Sequence, residues 1–312
     1  MILKENFDLT KVARYIWKDM ALTAATATGA YAAYHALNWT QIALPFAPVA
    51  VLGSALAIFL AFRNNTSYAR WAEGAQFWYA ITTQSRIFAR LIITFVDAHR
   101  HTPQYDAQQA QLFRQQMLRR QIAWVHALRL QLRGQDSWPE LRPYLSAEEY
   151  AALLTRQNKP IYLMERQGHH IYEAMVAGTL QGFDSFQLEG ALAQLAAQQS
   201  GCERLKVIPI PRQYDYFTRV FVYLFIALLP FCLLSLFTTS GTTWLIFPFT
   251  LLITFLFATV ERVGAVNEHP FENKITDVPM TAICNTIERD LLEMLNEPDL
   301  PAKLEPQAGY LY

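Results

Sequence analysis

Two long stretches of this chain carry no Asp, Glu, Lys or Arg: residues 20–62, 43 in number, and residues 220–260, 41 in number. A helix crosses the hydrocarbon core of a bilayer in about 20 residues, so each stretch is long enough to cross twice. Each also has a turn near its middle. Asn38-Trp39-Thr40-Gln41 divides the first, and Thr238-Thr239-Ser240-Gly241-Thr242-Thr243 divides the second. The pattern predicts two helical hairpins that cross a membrane and return. Buried hairpins of a soluble protein are the competing reading. A soluble core helix seldom goes about 18 residues without a charged outer face.

Elsewhere the hydrophobic period is helical. The second predicted span continues past Phe62 with Trp71, Phe77, Trp78, Ile81 and Phe88 on one side. From Asp106 to Leu132 the apolar positions Leu112, Leu118, Ile122, Val125, Leu128 and Leu132 recur near every 3.6 residues. Turn residues Pro139 and Pro143 follow. Ser146 then suits a helix N-cap, with Glu148 and Glu149 in the first turn. Asn158-Lys159-Pro160 breaks that helix, and 161–180 resumes one. No stretch reads as strand. The expected fold is an all-α membrane protein. Residues 1–19 form an N-terminal interfacial or cytoplasmic helix, 20–62 the first transmembrane hairpin and 63–219 a cytoplasmic helical region. Residues 220–260 form the second hairpin, and 261–312 a cytoplasmic C-terminal helix and tail. The cytoplasmic helices are expected to extend the membrane bundle without a separately folded domain.

All 26 Lys and Arg residues fall outside the two uncharged runs and their turns. The positive-inside rule therefore puts both termini and residues 63–219 in the cytoplasm, making this a multi-pass protein of the cell inner membrane. Trp39 and Trp244 suit the opposite interface. Residues 1–19 mix Lys4, Lys11, Arg14 and Lys18 with Glu5, Asp8 and Asp19 and have no apolar core of a signal peptide. Val12, Ile16 and Trp17 alternate with basic residues there, as in a helix lying on the inner interface. The chain is 53% hydrophobic and 17% charged, against about 25% charged in soluble domains. That excludes a disordered chain. Acidic and basic residues tie at 26 each, so nucleic acid is not an expected partner. Cys202, Cys232 and Cys284 are far apart and make neither a disulfide framework nor a zinc site.

Candidate chemistry is sparse. Glu165, His169 and Glu173 share a helix face beside His170, but a solvated polar face is the reading preferred over a metal site. The stretch Glu268–Asp277 offers too few carboxylates, interrupted by Lys274, for Ca²⁺. There is no phosphate-cradling Gly loop and no nucleophile elbow, so no enzyme, cofactor or metal is expected. No carboxylate lies inside a span to relay protons, and His35 sits at an outer interface. The first span is rich in Ala, with Gly29 among them, and should pack against protein over much of its surface. In the second span Gly53, Ala57 and Ala61 make a small-xxx-small stripe. Beside it Ser54, Ile58 and Phe62 share one face at i, i+4, i+8. Around an axis, copies of that face would stack rings of Ser, Ile and Phe, and apolar rings can gate a pore by dewetting. Ordinary helix packing would give the same spacing.

Three segments, in order, carry a resemblance: AIFLAFRNNTSYARW (57–71), IPIPRQYDYFTRVFVYLF (208–225) and NEHPFENKITDVPMTAICNTIERDLLEML (267–295). Together they resemble the bestrophin family, in particular its bacterial members, from Lys11 to Leu295. The PFEN segment and the Arg70-Trp71 pair are the most telling. The resemblance implies a homopentameric ion channel in the lipid bilayer, with four membrane helices per subunit and one central pore. Its partners are small inorganic ions, anions such as chloride being usual in the family. Counting back from Arg70-Trp71, the family's pore neck falls on Ser54, Ile58 and Phe62. Ser54 departs from the bulky apolar residue usual there. The family's cytosolic aperture falls on Ile210, before Pro211. ENKITD stands where eukaryotic members carry an acidic calcium clasp, which argues against calcium gating. A monovalent-cation channel, a secondary transporter and a non-conducting scaffold remain the alternatives.

Overall fold

The structure, a computed structural model, describes residues 1–2, 9–103 and 105–312. Lys4, Glu5 and Asp8 of the expected interfacial helix, and the side chain of Val12, lie outside the described residues. Among those described, nine α-helices form and no strand does: α1 (Leu9–His35), α2 (Phe46–Ala98), α3 (Ala107–Arg133), α4 (Ala147–Leu154), α5 (Lys159–Val176), α6 (Gly182–Val207), α7 (Arg212–Thr238), α8 (Ile246–Asn267) and α9 (Met280–Met294). From Leu9 the chain runs unbroken into the first predicted span as α1, because no Pro interrupts it. Pro45 precedes α2 and Pro48 lies in its first turn, where no helical N–H is lost.

The chain divides into two compact units, with α2 contributing to both. One comprises Lys4–Trp71 and Pro209–His269; the other comprises Met1–Leu3, Ala72–Ile208 and Pro270–Tyr312. We call them the membrane unit and the polar unit. The membrane unit extends past the charge-free runs, because Arg63, Asp215 and Glu261 pair with one another inside it.

Among the described residues three helices are long and apolar enough to cross a membrane: Thr40–Ala98, Arg212–Thr238 and Thr243–Asn267. α1, with its Ala, Thr and Tyr residues, is not among them. In the membrane unit α1 packs along α8, and α7 packs on both. The core joins Ala30, Val49, Leu56 and Leu60 to Val222, Phe225, Ile226 and Leu229. α1 is not covered over most of its surface. Thr23, Ala27 and Ala30 form its one buried stripe from Met20 onward, with the Thr23 hydroxyl donating to Thr254 Oγ1 at 3.2 Å. The hairpin turns use left-handed backbone at Asn38 (φ 51°) and Gly241 (φ 67°), conformations that Asn and Gly tolerate best. Beside these turns His35 hydrogen-bonds Thr243 at 3.2 Å.

α3 is the central helix of the polar unit and is buried from Arg120 to Leu130 on every side. Its apolar period suggested one buried face. The polar face is buried too, because its polar side chains find partners on other segments. Gln121 donates to Ser85 and accepts from Gln167. Trp124 donates to Gln199, Arg120 pairs with Glu149 and Arg129 with Glu140. Leu112 is instead exposed. Ser146 caps α4 by accepting from the Glu149 N–H. Asn158 caps α5, so Asn158-Lys159-Pro160 is that helix's start, two residues before the predicted resumption. α6 follows with a capping box between Gln181 and Asp184.

Candidate functional site

Along α2 the buried positions of the membrane unit are Val49, Gly53, Leu56, Leu60, Arg63 and Ser67. They are spaced four and three apart, which is one stripe of a helix. The opposite side carries Ser54, Ile58 and Phe62, and all three are exposed. Ile58 is 58% and Phe62 69% exposed, with Val51 and Phe59 exposed as well. Burying large apolar side chains is worth about 1.5–3 kcal/mol each, so a bare row of them on the chain's longest apolar helix is a surface that needs a cover or a purpose. Ser54 donates its hydroxyl to the Ala50 carbonyl at 2.9 Å. Its one donor is thus used within its own helix.

The small-residue stripe splits. Gly53 is buried against Phe225, whereas Ala57 and Ala61 are exposed beside Ile58 and Phe62. Ile210 differs from the neck candidates. Flanked by Pro209 and Pro211 just before α7, it is 8% exposed. The rest of the chain covers it, leaving only a small part of the residue accessible.

Sequence reading overlooked the charged cluster just inside the ends of the spans. Arg63 donates to Glu261 Oε1 at 2.9 Å and pairs with Asp215. Arg219 pairs with Asp215 at 2.7 Å, and Arg262 lies 3.7 Å from both Asp19 and Glu261. Arg63 and Glu261 alone stand 198 positions apart in the chain. The one available signal was that each bounds, or closely flanks, a charge-free run.

In the polar unit, Glu165, His169 and Glu173 line a cavity of about 500 Å³ with Arg120, Tyr144 and His170. His169 and Glu165 are 3.8 Å apart and both exposed, as a solvated face would have them. Burial, and then the Arg120 guanidinium, push His170 down to about 4. Its neutral Nδ1 faces Arg120 at 3.1 Å.

The sequence matches the family described as bacterial/fungal bestrophin protein over residues 7–293. The chain belongs to the bestrophin family. The voltage-dependent anion channel-forming protein YneE of Escherichia coli K12 is 33% identical over 278 residues, covering 88% of this chain and 86% of that protein. A voltage-dependent anion channel-forming protein of Mesorhizobium japonicum is 29% identical, covering 85% and 79%. The crystal structure of a bacterial bestrophin homologue from Klebsiella pneumoniae superposes with a TM-score of 0.82 at 28% identity, covering 91% of this chain and all of that one.

In this bestrophin the carboxylate Asp277 organises its own turn. It accepts from the backbone N–H groups of Glu272 at 2.5 Å and Lys274 at 3.1 Å. Burial pushes its pKa up, partly offset by those two N–H donors. Arg70 and Trp71, the other mark of the family, sit late in the membrane unit. Arg70 Nε donates to the Glu268 carbonyl at 3.2 Å, and Trp71 stacks on Tyr68.

Proposed function

We propose that this chain forms a homopentameric ion channel of the cell inner membrane that conducts small anions such as chloride. Each subunit crosses four times, through α1, the first part of α2, α7 and α8, with both termini in the cytoplasm. The observation that carries the reading is the bare Ser54/Ile58/Phe62 face of α2. One subunit cannot enclose a pore with that face, but five copies around an axis can, with the exposed Ala57 and Ala61 permitting close approach of neighbours.

The mechanism follows from the rings. Successive rings stand about 6 Å apart, four residues at 1.5 Å each. Five Ile58 and five Phe62 side chains exclude bulk water, so an ion sheds part of its hydration there. The positive rims of the Phe62 rings favour an anion at the narrowest point. Ser54, its proton held by Ala50, offers the outer ring lone pairs only. Ile210 forms a second, shallow constriction with the edge it leaves accessible. The names of the Escherichia coli and Mesorhizobium relatives support anion conduction.

Purified protein in a planar bilayer tests the reading. Unitary current steps are expected, with a reversal potential in a KCl gradient on the chloride side. A potassium-side reversal favours the cation channel, and coupled flux without unitary steps the transporter. No flux at all favours the scaffold. Native mass spectrometry should find five 35.8 kDa subunits. Reporter fusions after Asn38 and Ser240 should lie outside, and those near Gln135 and Leu295 inside.

A further inference from the structure

Arg63 follows Phe62 directly, yet its side chain is only 3% exposed while Phe62 is 69% exposed. Consecutive residues of a helix point about 100° apart. Whatever holds Arg63 inward therefore holds Phe62, and Ile58 one turn before it, outward. Arg63 is held by both arms of its guanidinium. One reaches Glu261 of α8 at 2.9 Å, the other Asp215 of α7. The next residue adds a second hold: Asn64 Nδ2 donates to the Val260 carbonyl at 3.1 Å. A Cβ at Gly264 would stand 2.3 Å from Asn64 Oδ1, so α8 approaches as closely as Gly allows.

The rest of the cluster does not share this role. Arg219 is 52% and Arg262 39% exposed, and ion pairs screened by water are weak. Arg63, Arg219 and Arg262 balance Asp19, Asp215 and Glu261, so the cluster is neutral and is no anion attractor. The apolar stripe Val49, Leu56 and Leu60 holds α2 to the bundle without choosing its rotation sharply, because hydrophobic contact is non-directional. A guanidinium forked onto two carboxylates is directional.

We propose that Arg63 is the positioning residue of the neck: its fork onto Asp215 and Glu261 sets the rotation of α2, and thereby the direction in which Ile58 and Phe62 face the conduction path. This rests on the reading of α2 as the neck.

Three variants of the full chain test it. Arg63→Lys keeps the charge, but one ammonium cannot reproduce the planar fork. Arg63→Gln leaves the buried Glu261 and the half-buried Asp215 short of a partner and should weaken assembly. Arg63→Gln with Glu261→Gln restores neutrality without the fork. Unitary conductance is read in bilayers, assembly by native mass spectrometry, and rotation by the rate at which a Phe62→Cys thiol reacts in each background. The three native cysteines are buried and should contribute little to that rate. Arg63→Lys and the double variant are expected to assemble as the parent does, with conductance and thiol reactivity each changed several-fold. A double variant that recovers both readouts would reduce the cluster to charge balance and overturn the proposal. So would an assembled Arg63→Lys protein indistinguishable from the parent. If the parent carries no unitary current, the pore reading fails by itself, and thiol reactivity still decides whether Arg63 sets the rotation.

Discussion

Gly53 of α2 lies against the ring of Phe225 of α7: a Cβ added at Gly53 would stand 2.9 Å from Cε2 and 3.3 Å from Cζ. Phe225 is itself buried in the core of the membrane unit, so the ring has little room to retreat. Gly53→Ala should cost about 1–3 kcal/mol through overpacking, seen as a lower thermal midpoint of the detergent-solubilised protein. Adding Phe225→Leu should recover much of the loss. A midpoint unmoved by Gly53→Ala would mean that the two helices do not need this approach.

Ile58 and Phe62 are exposed in the single chain, so truncating them opens no cavity within the subunit. Ile58→Ala and Phe62→Ala should raise unitary conductance or the open fraction while the pentamer persists. Side chains buried in subunit packing would instead cost about 2–5 kcal/mol each. Unchanged current with a weakened assembly, compared by bilayer recording and native mass spectrometry, would identify packing as their role.

Ile210 presents one edge, and a single shallow ring filters by size and hydration more than it gates. Ile210→Ala should shift permeability ratios among ions of like charge, measured from bi-ionic reversal potentials, and leave the open probability alone. Identical ratios in the parent and the variant would remove Ile210 from the conduction path.

His170 gives the polar unit a pH dependence of defined sign. Its folded pKa is depressed to about 4 by burial and by Arg120, whereas the unfolded imidazole titrates near its ordinary value of about 6.5. Below that value the unfolded state binds the proton and the folded state does not. The contribution is therefore complete above about pH 6.5 and declines as the pH falls toward 4. His170→Asn, neutral throughout, should lose less of its thermal midpoint between pH 7 and pH 5 than the parent. An equal loss in both proteins would place the titration elsewhere.

Much of the helical plan could be read along the chain. The start at Ser146 rests on capping chemistry that acts over three residues, and the stretch from Asp106 on apolar period. Asn158-Lys159-Pro160 was harder, since the same residues that end one helix cap the next. The two faces of α2 were legible as spacings. Which side is bare was not, since the Gly53-Ala57-Ala61 row has the same period as Ser54-Ile58-Phe62 beside it and crosses from the buried Gly53 to the exposed Ala57 and Ala61. The burial of α3 from Arg120 to Leu130 was also hidden, because Arg120, Gln121, His126 and Arg129 look like a solvent face until their partners on other segments are known.

The charge-free runs, the turns within them and the side on which basic residues gather follow from sequence, because the cost of placing a charge in hydrocarbon is incurred residue by residue. The family follows from sequence as well, through its three motif segments. The outward rotation of Phe62, the burial of Ile210 and the pairing of Arg63 with Asp215 and Glu261 belong to the tertiary structure. A guanidinium meets a carboxylate 198 residues away only after the apolar helices between them have packed, and no local pattern says which partner it will find.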